Sequence, residues 1–427
     1  MNSLFSFKYL IILLIGGLLS VLSCLYFSDG TPTILSMLFS VVFVLLSVNM
    51  SLENQMYMIA IGIPNTKALG FGGISASIVI CFVAVLIHFI KDKKKPSIPL
   101  LAILLLLYSM QYLFRNDDYR MGAVMPIKTV ANILFFVFLS SNVKIASDSF
   151  NIALKATIAL LVGIVSAMSA SIFGMNDAQR VSVVGNDPNM LSIEIAFVLS
   201  VLSVTYYSRK QFSQFFYLVA VFILGVLTMM CGSRMGIVLY ALVLFGSVFL
   251  NAKEISKTML LVTLLGIGIT IFLLSPFGQS LIEAITLRIE VLERSDNVSN
   301  GRFEIWQQYF NVLNSNDLYW LFGLGSFSDY GIENMAHNFL LEDVAAYGII
   351  GVILLYFTYF GIYKRQYKLV KRIKRFKFSY FFAIPFFVPL IGSLTLHGLG
   401  SIMITTMLYL GILCMTGSTT QIKNTII

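Results

Sequence analysis

Apolar runs of close to 20 residues recur from one end of this chain to the other, and nothing else in the sequence constrains its fold so tightly. A helix needs roughly 20 apolar residues to cross about 30 Å of hydrocarbon, and about thirteen runs approach that length. They lie near residues 9–27, 33–50, 70–90, 98–114, 124–141, 152–173, 190–208, 215–231, 235–250, 258–276, 344–363, 379–395 and 400–416. A mean hydropathy of +0.88 over 427 residues is more than any water-soluble core of this length requires. Unpaired backbone amides are too costly in lipid for spans other than helices or closed barrels. The predicted fold is therefore all-α: a polytopic integral membrane protein with about 12–13 transmembrane helices and one large extracytoplasmic helical loop. Residues 1–276 form an N-terminal transmembrane bundle, 277–343 the loop, and 344–427 the C-terminal transmembrane helices. No small-residue cleavage site follows Phe27, so the first run reads as a retained span.

Orientation follows from lysine and arginine, which short cytoplasmic loops retain. The runs KDKKK (91–95) and KRQYKLVKRIKRFK (364–377) belong to the cytoplasm, and Lys144, Arg209, Lys210, Lys253 and Lys257 fall on the same side. Segments 115–123, 174–189, 232–236 and 277–343 then lie outside. Thirteen spans would leave the N-terminus outside. Lys8 argues for an inside start, and residues 54–70 read as a short or re-entrant element, so twelve spans with both ends inside is the alternative. The net charge of +9 reports this asymmetry and implies no nucleic-acid partner. The basic run at 364–377 is a topology determinant that also sits against acidic headgroups. Cys24, Cys81, Cys231 and Cys414 are scattered singly through apolar segments, with neither metal spacing nor a close pair. No phosphate-binding glycine loop or internal repeat is present, so no nucleotide or other cofactor is expected.

The longest polar stretch carries the chemistry. Segment 277–343 holds ten of the 20 acidic residues and only three basic ones, Arg288, Arg294 and Arg302. Leu281, Ile282, Ile285, Ile289 and Leu292 recur at helical intervals, so one face of 279–294 can lie on the membrane. A second helix is predicted after Ser299-Asn300-Gly301, burying Phe303, Trp306 and Phe310. Arg302 then sits in its first turn, where a cation opposes the helix dipole. An anion shared between that guanidinium and the free amides of the turn would reverse the sign, and phosphate is the natural one. The other reading pairs Arg302 with Glu304 or Glu293. Downstream, Ala336-His337-Asn338 precedes an acidic helix start and Gly348 and Gly351. His337 lies at the outer boundary, where an imidazole can take a proton or serve as a hydrogen-bonded structural residue. Arg180 lies in NDAQRVSVVGNDPNMLSIE (176–194). Arg234 interrupts hydrocarbon in CGSRMG (231–236), either as a functional group or as a snorkelling side chain at a turn.

This set resembles the O-antigen polymerase and O-antigen ligase superfamily of bacterial envelope glycosyltransferases. The resemblance runs from Arg180 to Gly351. It comprises the Gly-x-Asp-Pro-Asn lead-in to a span (185–189), the Ser-Arg turn (233–234), and the Gly-Arg-x-x-x-Trp helix (301–306). The Phe-Gly-x-Gly turn (322–325) and the His-Asn pair followed by Gly-x-x-Gly (348–351) complete it. Met235 stands where Ser-Arg-Gly is commoner, with Gly236 following. The resemblance implies glycan transfer from a polyprenyl diphosphate carrier to a sugar hydroxyl, on the periplasmic face of the bacterial inner membrane. It assigns Arg180, Arg234 and Arg302 to the diphosphate, since guanidinium forks match phosphate oxygens. His337 is the implied base, with Glu194 its rival as a carboxylate near a span's outer end, and Asn338, Asn189 and Trp306 are supporting residues. With no Asp-x-Asp outside and only Asn116-Asp117-Asp118 as an acidic pair away from the loop, no metal is expected. The implied substrate is an undecaprenyl diphosphate-linked oligosaccharide, with a chain-length regulator and a flippase as membrane partners. Polymerase is the favoured reading and ligase the alternative. A lipid-linked glycan flippase or secondary transporter is the alternative of another class, disfavoured because the charges gather at one face and no second half repeats the first.

Overall fold

The computed structural model describes residues 6–28, 31–91, 100–110, 124–173, 187–209, 213–250, 302–325, 330–332, 336–373, 380–394 and 401–417, with a few positions between 266 and 286. Helices dominate. In chain order they are α1 (Phe7–Leu25), α2 (Ile34–Val48), α3 (Leu52–Gly62), α4 (Ala76–Lys91), α5 (Leu100–Met110), α6 (Val124–Ser141), α7 (Val143–Ser147) and α8 (Ser149–Phe173). There follow α9 (Pro188–Val204), α10 (Gln214–Met230), α11 (Arg234–Phe249), α12 (Arg302–Asn314), α13 (Asp317–Phe322), α14 (Phe339–Ile373), α15 (Ile384–Ser393) and α16 (Ile402–Gly417). Two antiparallel hairpins of two-residue strands join α1 to α2 and α3 to α4.

Among the described residues α1, α8, α9 and α14 are long and apolar enough to cross a membrane, and shorter apolar helices accompany them. The fold is all-α and polytopic, as composition requires. Its outer surface inverts that of a soluble protein: Leu14 and Leu18 of α1, Leu45 of α2, Phe245 of α11 and Phe357 of α14 are all exposed. Small and polar residues lie inside, where they let backbones approach and bond across helices. Asn65 is one such residue, donating to Ser20 Oγ at 2.7 Å and to the Gly163 carbonyl at 3.0 Å. At Gly163 a Cβ would come within 2.2 Å of the Ile61 carbonyl oxygen, so α3 rests directly on α8.

Helix α3 settles how residues 54–70 are used. Eleven residues at ~1.5 Å rise cannot cross the hydrocarbon. The helix is buried from Gln55 onward and turns back through a 3₁₀ turn at Ile63–Asn65 into the second hairpin. It is a short buried element, one of the two readings the sequence left open.

Helix α8 lies at the centre, against α1, α3, α9 and α16. Helices α9, α10, α11 and α15 form one group around it, while α14 packs on α5, α6, α12, α13 and α16. All four cysteines are buried and none forms a disulfide. The expected span 258–276 and the apolar face of 279–294 lie almost wholly outside the described residues; Gln279, Glu283 and Thr286 are helical and exposed.

Candidate functional site

The loop helix α12 departs from the predicted face. Its buried side chains are Tyr309 and Leu313, whereas Phe303 and Phe310 are exposed and Trp306 is half-buried. The reason is where the helix docks: Tyr309 and Leu313 enter a small apolar cluster with Leu324, Ile332, Ala336, Leu341 and Ala345, the last two from α14. Phe303 packs edge-on against Trp306, and Phe310 stacks on Trp320 of α13.

Docking turns α12 into a clamp on the segment that precedes α14. The Trp306 indole N–H donates to the Ala336 carbonyl at 2.7 Å, and Tyr309 shares a hydrogen bond with the Ala336 backbone. Burial and the nearby Glu342 carboxylate push the Tyr309 phenol up, so it stays protonated at any physiological pH. The next residue is His337, half-buried, with φ +51°; among the described residues it alone has positive φ without being glycine. That conformation costs a non-glycine residue on the order of 1–3 kcal/mol and persists only when the surroundings impose it. They do so here: the His337 N–H donates to Glu342 Oε1 at 3.0 Å, and Asn338 Oδ1 accepts from the Leu340 and Leu341 amides, capping α14.

Two turns further, α14 breaks. Gly348 has φ +66° and ψ 171° inside an otherwise continuous helix. Carbonyls released in hydrocarbon cost several kcal/mol each unless paired. Three are paired from outside the helix. The Ala345 and Ala346 carbonyls accept from the Leu324 and Gly325 amides at 2.6 and 3.1 Å, and the Tyr347 carbonyl accepts from the Tyr108 hydroxyl of α5 at 2.5 Å. This explains the glycines of two motifs. A Cβ on Gly348 would stand 2.3 Å from the Leu321 carbonyl oxygen and 2.5 Å from Gly323 N; one on Gly351 would meet the Tyr108 ring at 2.7 Å. The Phe-Gly-x-Gly turn and the Gly-x-x-Gly motif are thus two sides of one junction.

A second junction unites the other motifs. A Cβ on Gly236 would lie 2.3 Å from the Ser192 side chain, so the start of α11 presses on the start of α9. Arg234 is the first residue of α11, exposed, behind the Ser233 cap. Asn189 is in the first turn of α9, its N–H donating to Asp187 Oδ1 at 2.8 Å. Gly236 therefore supplies the close approach that Met235 cannot. Glu194, one turn along α9, is wholly buried, and neither of its oxygens has a partner among the described residues.

The described contacts bring together His337, Asn338 and Trp306, and separately Arg234 and Asn189; they do not join the two sets. Arg302 opens α12 half-buried, one turn before Trp306 on the same face, and no described acid pairs with it. Arg180, Glu293 and the acidic pair at 117–118 lie outside the described residues. Sequence reasoning missed Tyr108, Tyr309 and Glu342. Tyr108 carries no local signal, and Glu342 stands four residues after Asn338, one beyond the capping-box spacing, so no motif marked it.

The molecule is thus a helical, polytopic membrane protein in which a docked loop helix and a broken span hold one histidine in a strained conformation. Residues 218–356, from within α10 to the middle of α14, match the family model described as O-antigen ligase. That match supports the resemblance to the O-antigen polymerase and ligase superfamily. That family is associated with glycosyltransferase-like chemistry on a lipid-linked glycan. No curated protein and no solved structure was found to match the chain.

Proposed function

We propose that the protein is a metal-independent polymerase of lipid-linked oligosaccharide repeat units, building O-antigen or a similar surface polysaccharide on the periplasmic face of the inner membrane. The observation that carries the reading is the family match, which spans Arg234, Arg302, Trp306, His337 and Asn338. Local chemistry supports it. Arg234, Arg302 and Asn189 each stand in the first turn of a helix, and Asn338 caps a fourth. Helix starts carry free amides and positive dipole ends, and so favour an anion such as diphosphate.

In the proposed reaction the terminal sugar hydroxyl of one lipid-linked repeat unit attacks the anomeric carbon of another. The new carbon–oxygen bond forms as the bond to the diphosphate breaks. Polyprenyl diphosphate leaves with the electron pair, its charge taken up by Arg180, Arg234 and Arg302. The hydroxyl proton passes to His337. The Ala336 clamp, the Glu342 contact and the Asn338 cap fix that residue's backbone. Glu194 is less suited to this role, since a carboxylate enclosed by protein has no route to a sugar hydroxyl.

A second reading rests on the family's description, which names a ligase: transfer of finished polymer to lipid A core. Transport is the third, and a broken span is a feature it shares. Cells lacking the chain separate the three. The polymerase reading expects lipid A core bearing a single repeat unit. Bare core with stored lipid-linked polymer would establish the ligase instead, and repeat units stranded on the cytoplasmic side would establish a flippase.

A further inference from the structure

At the far end of α14 from His337, the helix and the end of α6 flank an open groove of about 570 Å³. Lys364, Arg365, Lys368 and Arg372 line it together with Ser140 and Ser141, and no carboxylate is among its lining residues. Lys364, Lys368 and Arg372 pair with no acid among the described residues. Lys364 lies about 24 Å along α14 from Gly348 at ~1.5 Å per residue, so this site is separate from the loop junction.

We propose that this groove binds the phosphate headgroup of an anionic phospholipid from the adjoining leaflet. Three cations that pair with no acid among the described residues, beside a fourth at Arg365, call for an anion. What identifies a lipid, and not a dissolved anion, is the surface beside it. Ile353, Phe357 and Phe360 are exposed and follow one another at helical spacing, and the same stripe continues into Lys364 and Lys368. Acyl chains laid along the apolar part of this stripe bring the phosphate to the basic part. Basic pockets between spans are the usual receptors for such headgroups. Because the occupied end belongs to the helix whose other end carries Asn338 and Gly348, the lipid would brace the span that supports the loop junction.

The test uses the intact protein in detergent, with phosphatidylglycerol and phosphatidylcholine of matched chains offered in equal amounts and the bound lipid counted by native mass spectrometry. The expected result is a clear excess of phosphatidylglycerol. The combined variant K364Q/K368Q/R372Q should abolish that excess by at least about tenfold, given about fivefold per cation. Lys371 is exposed on the same helix but does not line the groove, so K371Q should keep the preference. If K371Q lowers binding as much as a groove substitution, the groove is not the receptor and a general basic surface is. If inorganic phosphate displaces phosphatidylglycerol at equal concentration, the site takes a free anion and the lipid assignment fails. Should the combined variant unfold, K364Q alone, compared with K371Q, decides the same question.

Discussion

At the scale of single residues, the decisive feature is a histidine held where histidines rarely rest. His337 was legible as a titratable group at a boundary, but its φ of +51° was not, because nothing local demands it; Trp306, Tyr309 and Glu342 impose it from elsewhere. Trp306→Phe keeps the ring packing against Phe303 and removes only the indole donor to Ala336. Leaving that buried carbonyl unpaired costs about 1–3 kcal/mol, so glycan extension should fall roughly tenfold or more while the protein remains in the membrane. Unchanged extension by the membrane-inserted variant would mean the clamp does not serve the reaction. For Arg302, a planar fork is the property at issue. Arg302→Lys should be nearly as damaging as Arg302→Ala in a polymer assay, because an ammonium cannot grip two phosphate oxygens at once. Near-normal polymer from a stably expressed Lys variant would remove the bidentate argument.

At the scale of elements, the hydrophobic periods placed the described spans well, and they left 54–70 as a short or re-entrant element, which α3 shows to be short and buried. They could not show that α14 is broken, or that the break is repaired by a loop and a tyrosine distant in sequence. Gly348 was visible as a glycine at the mouth of a span; its partner Gly323 was visible only as a turn. The amphipathic reading of α12 chose Phe303 and Phe310 over Tyr309 and Leu313. The largest apolar side chains are the natural choice for an inward face, whereas the docking partner is the small apolar cluster around Ala336. Two substitutions follow. Gly348→Ala combines a positive φ with a Cβ 2.3 Å from a carbonyl oxygen, so it should cost more than about 2 kcal/mol and sharply lower the amount of folded protein in membranes. Gly236→Ala should pry α11 from α9 and displace Arg234. Activity should fall with a smaller loss of protein, since the neighbouring Ser192 is a side chain that can shift. Thermal unfolding of the two variants in detergent, compared with the parent, checks the order.

At the scale of the whole molecule, the described candidate residues fall at two junctions, one built on α9 and α11 and one on α12 to α14. In the sequence the motifs read as one constellation. Their order along the chain carried that reading, and order does not reveal which helices touch. The membrane orientation that would make both junctions periplasmic rests on lysine and arginine asymmetry. An impermeant thiol reagent should therefore reach a cysteine at Ser326 in intact cells, and one at Val370 only after permeabilisation. Labelling at Val370 in intact cells would reverse the orientation and move the proposed reaction to the other face.

The most direct measurement is reconstitution. Purified protein in lipid vesicles, given only polyprenyl diphosphate-linked repeat units, is predicted to yield a ladder of longer lipid-linked glycans, releasing one polyprenyl diphosphate for each bond formed. His337→Ala should lose this by the factor of about 10² to 10⁴ typical of a general base, without loss of inserted protein. Product that forms only after lipid A core is supplied, or substrate that crosses the bilayer with no new bond made, would contradict the account.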